Sequence, residues 1–171
     1  MKKKASSLRI ACRTSSVQDE LDTVMKKMPI ANGMDVCWGE RRVPLSHGRH
    51  HGGYVCAFRG QPLVRVESML ERSVIKMLVA DPACMAVASQ PVTLRWMWRE
   101  SKRRYTPDVL VLFDAVPEQW RQLGAERFSL IEVKPPRVHI DSDLMAERAR
   151  IVRATLGMPL VRLPALQEVQ A

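Results

Sequence analysis

Residues 105–135 read YTPDVLVLFDAVPEQWRQLGAERFSLIEVKP, and the way the two ends of this stretch pair decides the fold. YTPDVLVLF and FSLIEVKP are each a short apolar run bounded by polar or Pro-containing sequence, the pattern of a buried strand. An antiparallel hairpin with Phe113 roughly facing Phe128 brings Asp108 level with Glu132 and Lys134. Glu132 and Lys134 are two residues apart, so on a strand they share one face while Val133 points to the other. Two carboxylates and an ammonium then converge at one end of a sheet. Such a group suits a divalent cation and a phosphate, and it is the candidate active centre.

The rest of the chain must supply a core around that hairpin. At 171 residues it is long enough for one well-buried core and one domain. Hydrophobic residues at 46% and charged residues at 26% are ordinary for a globular protein. The charge balance is not: 27 Lys and Arg against 18 Asp and Glu leave a net +9. That surplus favours a polyanionic partner, nucleic acid first among them. Cys12, Cys37, Cys56 and Cys84 show no CxxC spacing, and no secretory leader or membrane-spanning run is visible. A reducing, cytoplasmic, bacterial setting with no membrane partner is expected.

Residues 1–16 carry Lys2, Lys3, Lys4, Arg9 and Arg13 with little apolar periodicity, which predicts a mobile basic arm able to touch phosphates. Residues 17–171 form the single domain, with its core over about 66–163. Residues 17–28 fit one short amphipathic helix. Residues 31–62 are rich in Gly, Arg and His, and short strands and turns are expected. Cys37, His47, His50, His51 and Cys56 invite a zinc reading, but their spacing matches no standard ligand pair.

The clearest helix runs over residues 68–80. Ser68 and Glu71 form a capping box in which Glu71 reaches back to the Ser68 amide, and Leu70, Val74, Met77 and Leu78 make its core stripe. Asp81-Pro82 stops it. Glu71 therefore has two readings, a helix cap or a third acid beside the hairpin, and spacing alone leaves both open. Residues 92–98 alternate as a strand, with Val92, Leu94, Trp96 and Trp98 on one face. RESKRR (99–104) is expected as a charged turn into the hairpin, placing Lys102, Arg103 and Arg104 near a bound duplex. The loop over 114–126 carries Trp120 and a helical turn. A last helix over 142–156, capped by Asp141 or Ser142, presents Met145, Ala149, Val152 and Leu156 inward and ends at Gly157. Arg148, Arg150 and Arg153 are assigned to its other surfaces, and residues 159–163 supply a last strand.

The element order gives an α/β fold around a mixed sheet flanked by helices. In that setting Pro107-Asp108, a long gap and Glu132-Val133-Lys134 on the next strand form a hydrolytic signature for phosphodiesters. Asp108 and Glu132 offer hard oxygen ligands for Mg²⁺ or Mn²⁺, helped by the Val133 carbonyl. Lys134 can orient a water or neutralise charge growing on the phosphate.

ESMLERSVIKMLVADP, SQPVTL, RRYTPDVLVLF and FSLIEVKP together resemble the TnsA-type transposon endonucleases, the PD-(D/E)xK nuclease subunits of heteromeric cut-and-paste transposases. The likeness spans about 66–163, with a weaker echo in RRVPLSHGR. It implies a restriction-endonuclease-like core whose helix glutamate falls on Glu71, strand aspartate on Asp108 and closing motif on Glu132, Val133 and Lys134. It also places a supporting role on Gln90, in Gln90-Pro91, where Ser89 stands in place of the usual acid. By that resemblance the chain would cut double-stranded DNA at the 5′ ends of a transposon, beside a DDE transposase. An ATPase regulator is a further partner of the family, often reached through a C-terminal winged-helix domain. Residues 136–171 are too few for such a domain. The alternatives are another PD-(D/E)xK nuclease of restriction, phage or defence type, or a non-catalytic DNA-binding assembly subunit.

Overall fold

A computed structural model describes residues 8–28, 33–39, 46–47, 50–135 and 141–163; at 46–47 and 50–51 it describes the backbone alone. In chain order these form β1 (Ala11–Cys12), α1 (Ser15–Lys27), β2 (Asp35–Trp38), β3 (Ser46–His47), β4 (His50–His51), β5 (Gly53–Val55) and β6 (Val64–Val66). Then follow α2 (Met69–Ala80), β7 (Cys84–Ser89), β8 (Val92–Trp98), β9 (Ser101–Tyr105), β10 (Val109–Phe113) and α3 (Glu118–Gln122). β11 (Phe128–Glu132), α4 (Ser142–Leu156) and β12 (Leu160–Arg162) close the chain. The fold is α/β, with a mixed central sheet flanked by helices, as the element order predicts.

The central sheet has the order β1-β7-β10-β11-β12. Its first three pairings are antiparallel, and β11 pairs with β12 in parallel across the α4 crossover. Every residue of β10 is buried, because strands and helices cover it on all sides. That explains why VLVLF is apolar throughout rather than alternating. Odd positions Val109, Val111 and Phe113 face α2 through Val74, Ile75 and Leu78. Even positions Leu110 and Leu112 face α1 and α4 through Leu21, Val152 and Leu156. Trp120, the buried residue of α3, packs at 5.9 Å on Phe113.

The β10–β11 hairpin forms, with Leu112 opposite Phe128 and Val109 opposite Ile131. The expected pairing of Phe113 with Phe128 is thus one residue out. Phe113 instead donates its amide to the carbonyl of Arg127.

Four further expectations are corrected. Residues 1–16 are not wholly an arm: Ile10, Ala11 and Cys12 are buried, β1 extends the sheet edge along β7, and Ser15 opens α1. Arg13 is occupied within the fold, donating to the carbonyls of Cys84 and Asp81 over the ring of Phe58. Lys2, Lys3 and Lys4 lie outside the described residues, as do RRVPL of the 40–49 run and the side chains of His47, His50 and His51. Second, β7 was expected only as a connection, yet it lies between β1 and β10. Its CMAVAS sequence lacks alternation and holds a single β-branched residue, Val87, since small side chains suffice where both faces are covered. Third, RESKRR is not a turn. Only Arg99 and Glu100 turn, both at positive φ, and residues 101–105 are a strand paired with β8. This strand and β2 flank β8 in a separate three-stranded sheet. Finally, Met145 and Ala149 are only partly buried, and Arg148 shares the inward side of α4 with them.

α2 and α4 have their expected ends. Ser68 caps α2 by accepting the Glu71 amide, a contribution of about 1 kcal/mol. Asp141 caps α4, which Gly157 ends at φ 69°, a left-handed conformation that costs glycine little. Among the described residues no helix is long and apolar enough to cross a membrane.

Candidate active site

The chain passes between the two sheets twice, at 89–92 and 105–109, and the two crossings are tied together. The Gln90 amide donates to the Asp108 carbonyl at 2.8 Å. The hydroxyls of Thr93 and Thr106 lie 2.9 Å apart. Asp108 itself donates its amide to the Ile131 carbonyl at 3.2 Å, just beyond the ladder of β10 and β11. Its carboxylate is thus fixed by backbone on both sides. Oδ2 then accepts the Val133 amide at 2.7 Å, which the strand ladder leaves free.

Glu132 is the last residue of β11 and only 1% exposed. A carboxylate buried so deeply must be paired and hydrogen-bonded. Its Oε2 accepts the Tyr105 phenol at 2.6 Å. Its Oε1 meets Lys134 Nζ at 3.0 Å and Arg148 Nη1 at 3.5 Å. Lys134 also reaches Asp108 Oδ2 at 3.3 Å, so one ammonium bridges both carboxylates. Arg148 lies over the Tyr105 ring, 4.6 Å from its centroid, a cation–π contact that holds the guanidinium in place.

Glu71 approaches from α2, on the other face of the sheet. It is buried, and its carboxylate accepts the Glu67 amide at 3.0 Å and the Ser68 hydroxyl at 3.3 Å. The capping box therefore forms one residue earlier than expected, on Glu67 rather than Ser68. Glu71, Asp108, Glu132, Lys134 and Arg148 all line one cleft of about 680 Å³, together with Arg104, Tyr105 and Val133.

The electrostatics show a surplus of negative charge. Burial raises the Asp108 carboxyl to about 6, and the Glu132 charge adds to this; Lys134 and the Val133 amide offset only part. Burial likewise raises Glu71 to about 7, and the carboxylates of Asp108 and Glu67 push in the same direction. For Lys134, burial alone would lower the pKa, but Asp108 and Glu132 outweigh it and hold the ammonium above its ordinary value. Burial, then Glu132, raises the Tyr105 phenol, so it stays a donor.

The donor chemistry fits a hard divalent cation: carboxylate oxygens of Asp108 and Glu132 meet at Lys134, Glu132 has Arg148 besides, and the Asp108 carboxyl stays raised. Among the described residues no three His, Cys, Asp or Glu side chains are gathered closely enough to hold an ion.

The structure brings Asp108, Glu132, Val133 and Lys134 together and places Glu71 in the same cleft. Arg104 reaches the cleft wall, while Lys102 and Arg103 lie farther out along β9. Gln90 is buried at φ 46°, and its side chain has no hydrogen-bond partner among the described residues. Its link to the site is its amide. Sequence reasoning missed Tyr105 and Arg148 as site residues. Arg148 is assigned from sequence to the other surfaces of α4, although its place four residues before Val152, beside Met145 and Ala149, is a signal for the inward side. No protein-family model matches the chain, and no curated protein matches it.

Proposed function

We propose that the chain is a metal-dependent DNA endonuclease with a PD-(D/E)xK core, acting as the TnsA-like subunit of a heteromeric transposase. The observation that carries this reading is the bridging of Asp108 and Glu132 by Lys134, at 3.3 and 3.0 Å, at the ends of two adjacent strands. The mixed sheet with helices on both faces and the net charge of +9 support it.

In this reading Asp108, Glu132, the Val133 carbonyl and Glu71 would hold Mg²⁺ or Mn²⁺. When bound, the ion supplies Lewis-acid polarisation of the phosphate and an acidified water. Lys134 orients the attacking water or neutralises the charge that develops on phosphate oxygens. Tyr105 and Arg148 fix the Glu132 carboxylate, and the two pinned crossings fix Asp108. The substrate is double-stranded DNA at transposon 5′ ends, and a DDE transposase is the partner; an ATPase regulator is the further partner of such systems.

The test is cleavage of a labelled transposon end in Mg²⁺ or Mn²⁺, with and without the partner transposase. Cutting at the 5′ ends that Asp108→Ala and Lys134→Ala abolish, with DNA binding retained, supports the reading. Undiminished cutting in both variants would sink it.

A further inference from the structure

The β8–β9 hairpin carries charge that the hydrolytic centre does not use. Antiparallel partners share a face. Arg95 opposes Arg104 and Met97 opposes Lys102 on one face, while Trp96 opposes Arg103 and Trp98 opposes Ser101 on the other. On the first face Lys102 and Arg104 are exposed, Met97 is 57% exposed, and no ion pair among the described residues holds either cation. Arg104 also forms part of the cleft wall, and so does Thr106, two residues on. This cationic face therefore runs without a break into the cleft. The second face is different: Trp96 is buried in the core shared with α1.

The pairing of Arg95 with Arg104 is unfavourable in itself, since like charges directly opposite each other destabilise a sheet. Asp35 offsets Arg95 at 3.0 Å, which leaves Arg104 uncompensated. A polyanion beside Arg104 would neutralise that charge. The step from Arg104 to Lys102 is about 6.8 Å, two residues at about 3.4 Å each. Neighbouring phosphates along one strand of a duplex lie at a comparable through-space distance, because the backbone winds around the axis while rising about 3.4 Å per nucleotide.

We propose that Lys102 and Arg104, with Met97 beside them, form a track for consecutive phosphates of one DNA strand leading into the cleft. Arg103, on the opposite face, is not part of it. The track rests on the nuclease reading for its substrate, and it makes phosphate rather than base contacts, so it is indifferent to sequence.

The test compares wild type, Lys102→Ala/Arg104→Ala and Arg103→Ala by fluorescence anisotropy on a short labelled duplex in Ca²⁺, across a salt series. Melting temperatures confirm folding, which these exposed positions leave intact. The double variant should bind about tenfold or more weakly, with its salt slope reduced by about 2, at about 0.9 per lost phosphate contact. Arg103→Ala should stay within about twofold of wild type. Equal weakening by Arg103→Ala, an unmoved slope in the double variant, or a wild type that ignores the duplex and binds an acidic peptide instead would each overturn the proposal. Failure of the hydrolytic reading looks different. It appears as wild type that cuts no DNA in Mg²⁺ or Mn²⁺ while the salt slopes still separate the two variants.

Discussion

The Tyr105 phenol donates to Glu132 Oε2 across 2.6 Å, joining the last residue of β9 to the last residue of β11. This bond ties the separate three-stranded sheet to the end of the central one. It leaves Oε1 of the same carboxylate to the cations Lys134 and Arg148. Tyr105→Phe removes the donor but keeps the ring under Arg148. The buried Oε2 then lacks its partner, at a cost of about 1–3 kcal/mol. A fall in melting temperature of about 2–12 °C is expected, at about 2–4 °C per kcal/mol for a chain of this size. An unchanged melting temperature would mean that the bond contributes nothing net.

Lys134 is the shared partner of two carboxylates, so its removal should lower stability as well as act on reaction. Lys134→Ala is expected to lower the DNA-cleavage rate about 100-fold or more, the scale for losing a positioned charge-stabilising group, while duplex affinity stays within a few fold. Single-turnover cleavage beside an anisotropy titration separates the two. Parallel losses in rate and affinity would make Lys134 a binding residue instead.

The pH dependence of stability follows from the raised carboxyls. Asp108 moves from 3.8 to about 6 and Glu71 from 4.5 to about 7. The native state therefore binds more protons than the unfolded chain between those limits. Their contribution is complete below about pH 4 and is lost as pH rises through about 6 and 7. Without divalent metal, Asp108→Asn and Glu71→Gln should each raise stability at pH 8 by about 1–3 kcal/mol, at about 1.4 kcal/mol per unit before coupling. The gain should vanish near pH 4. Chemical denaturation at the two pH values checks it, and a gain of equal size at both would remove titration as the cause.

Arg148 reaches Glu132 from α4 and stacks on Tyr105. Lysine keeps the charge but not the planar surface that covers the ring. Arg148→Lys should therefore recover only part of the cleavage lost in Arg148→Ala, with an expected loss of about tenfold or more in the alanine variant, the scale for losing a group that orients a ligand carboxylate. Full recovery by lysine would assign the role to charge alone.

Sequence by itself determined the elements whose patterns are local. The capping pair Ser68 and Glu71 marked α2, Gly157 marked the end of α4, and the two apolar runs marked β10 and β11. It also placed Asp108, Glu132 and Lys134 together, because side-chain alternation and a hairpin suffice to align them. Tertiary structure decided the rest. β7 lies at the sheet's interior with small residues because its neighbours bury it on both faces, a fact absent from its own pattern. The hairpin register rests on backbone pairing that similar apolar residues cannot specify to one position. Tyr105 and Arg148 joined the site only through the packing of a second sheet and α4 against Glu132. Glu71 shows the division within one residue: spacing left open a cap or a third acid, and the meeting of α2 with the sheet end puts its capping carboxylate into the same cleft as Asp108.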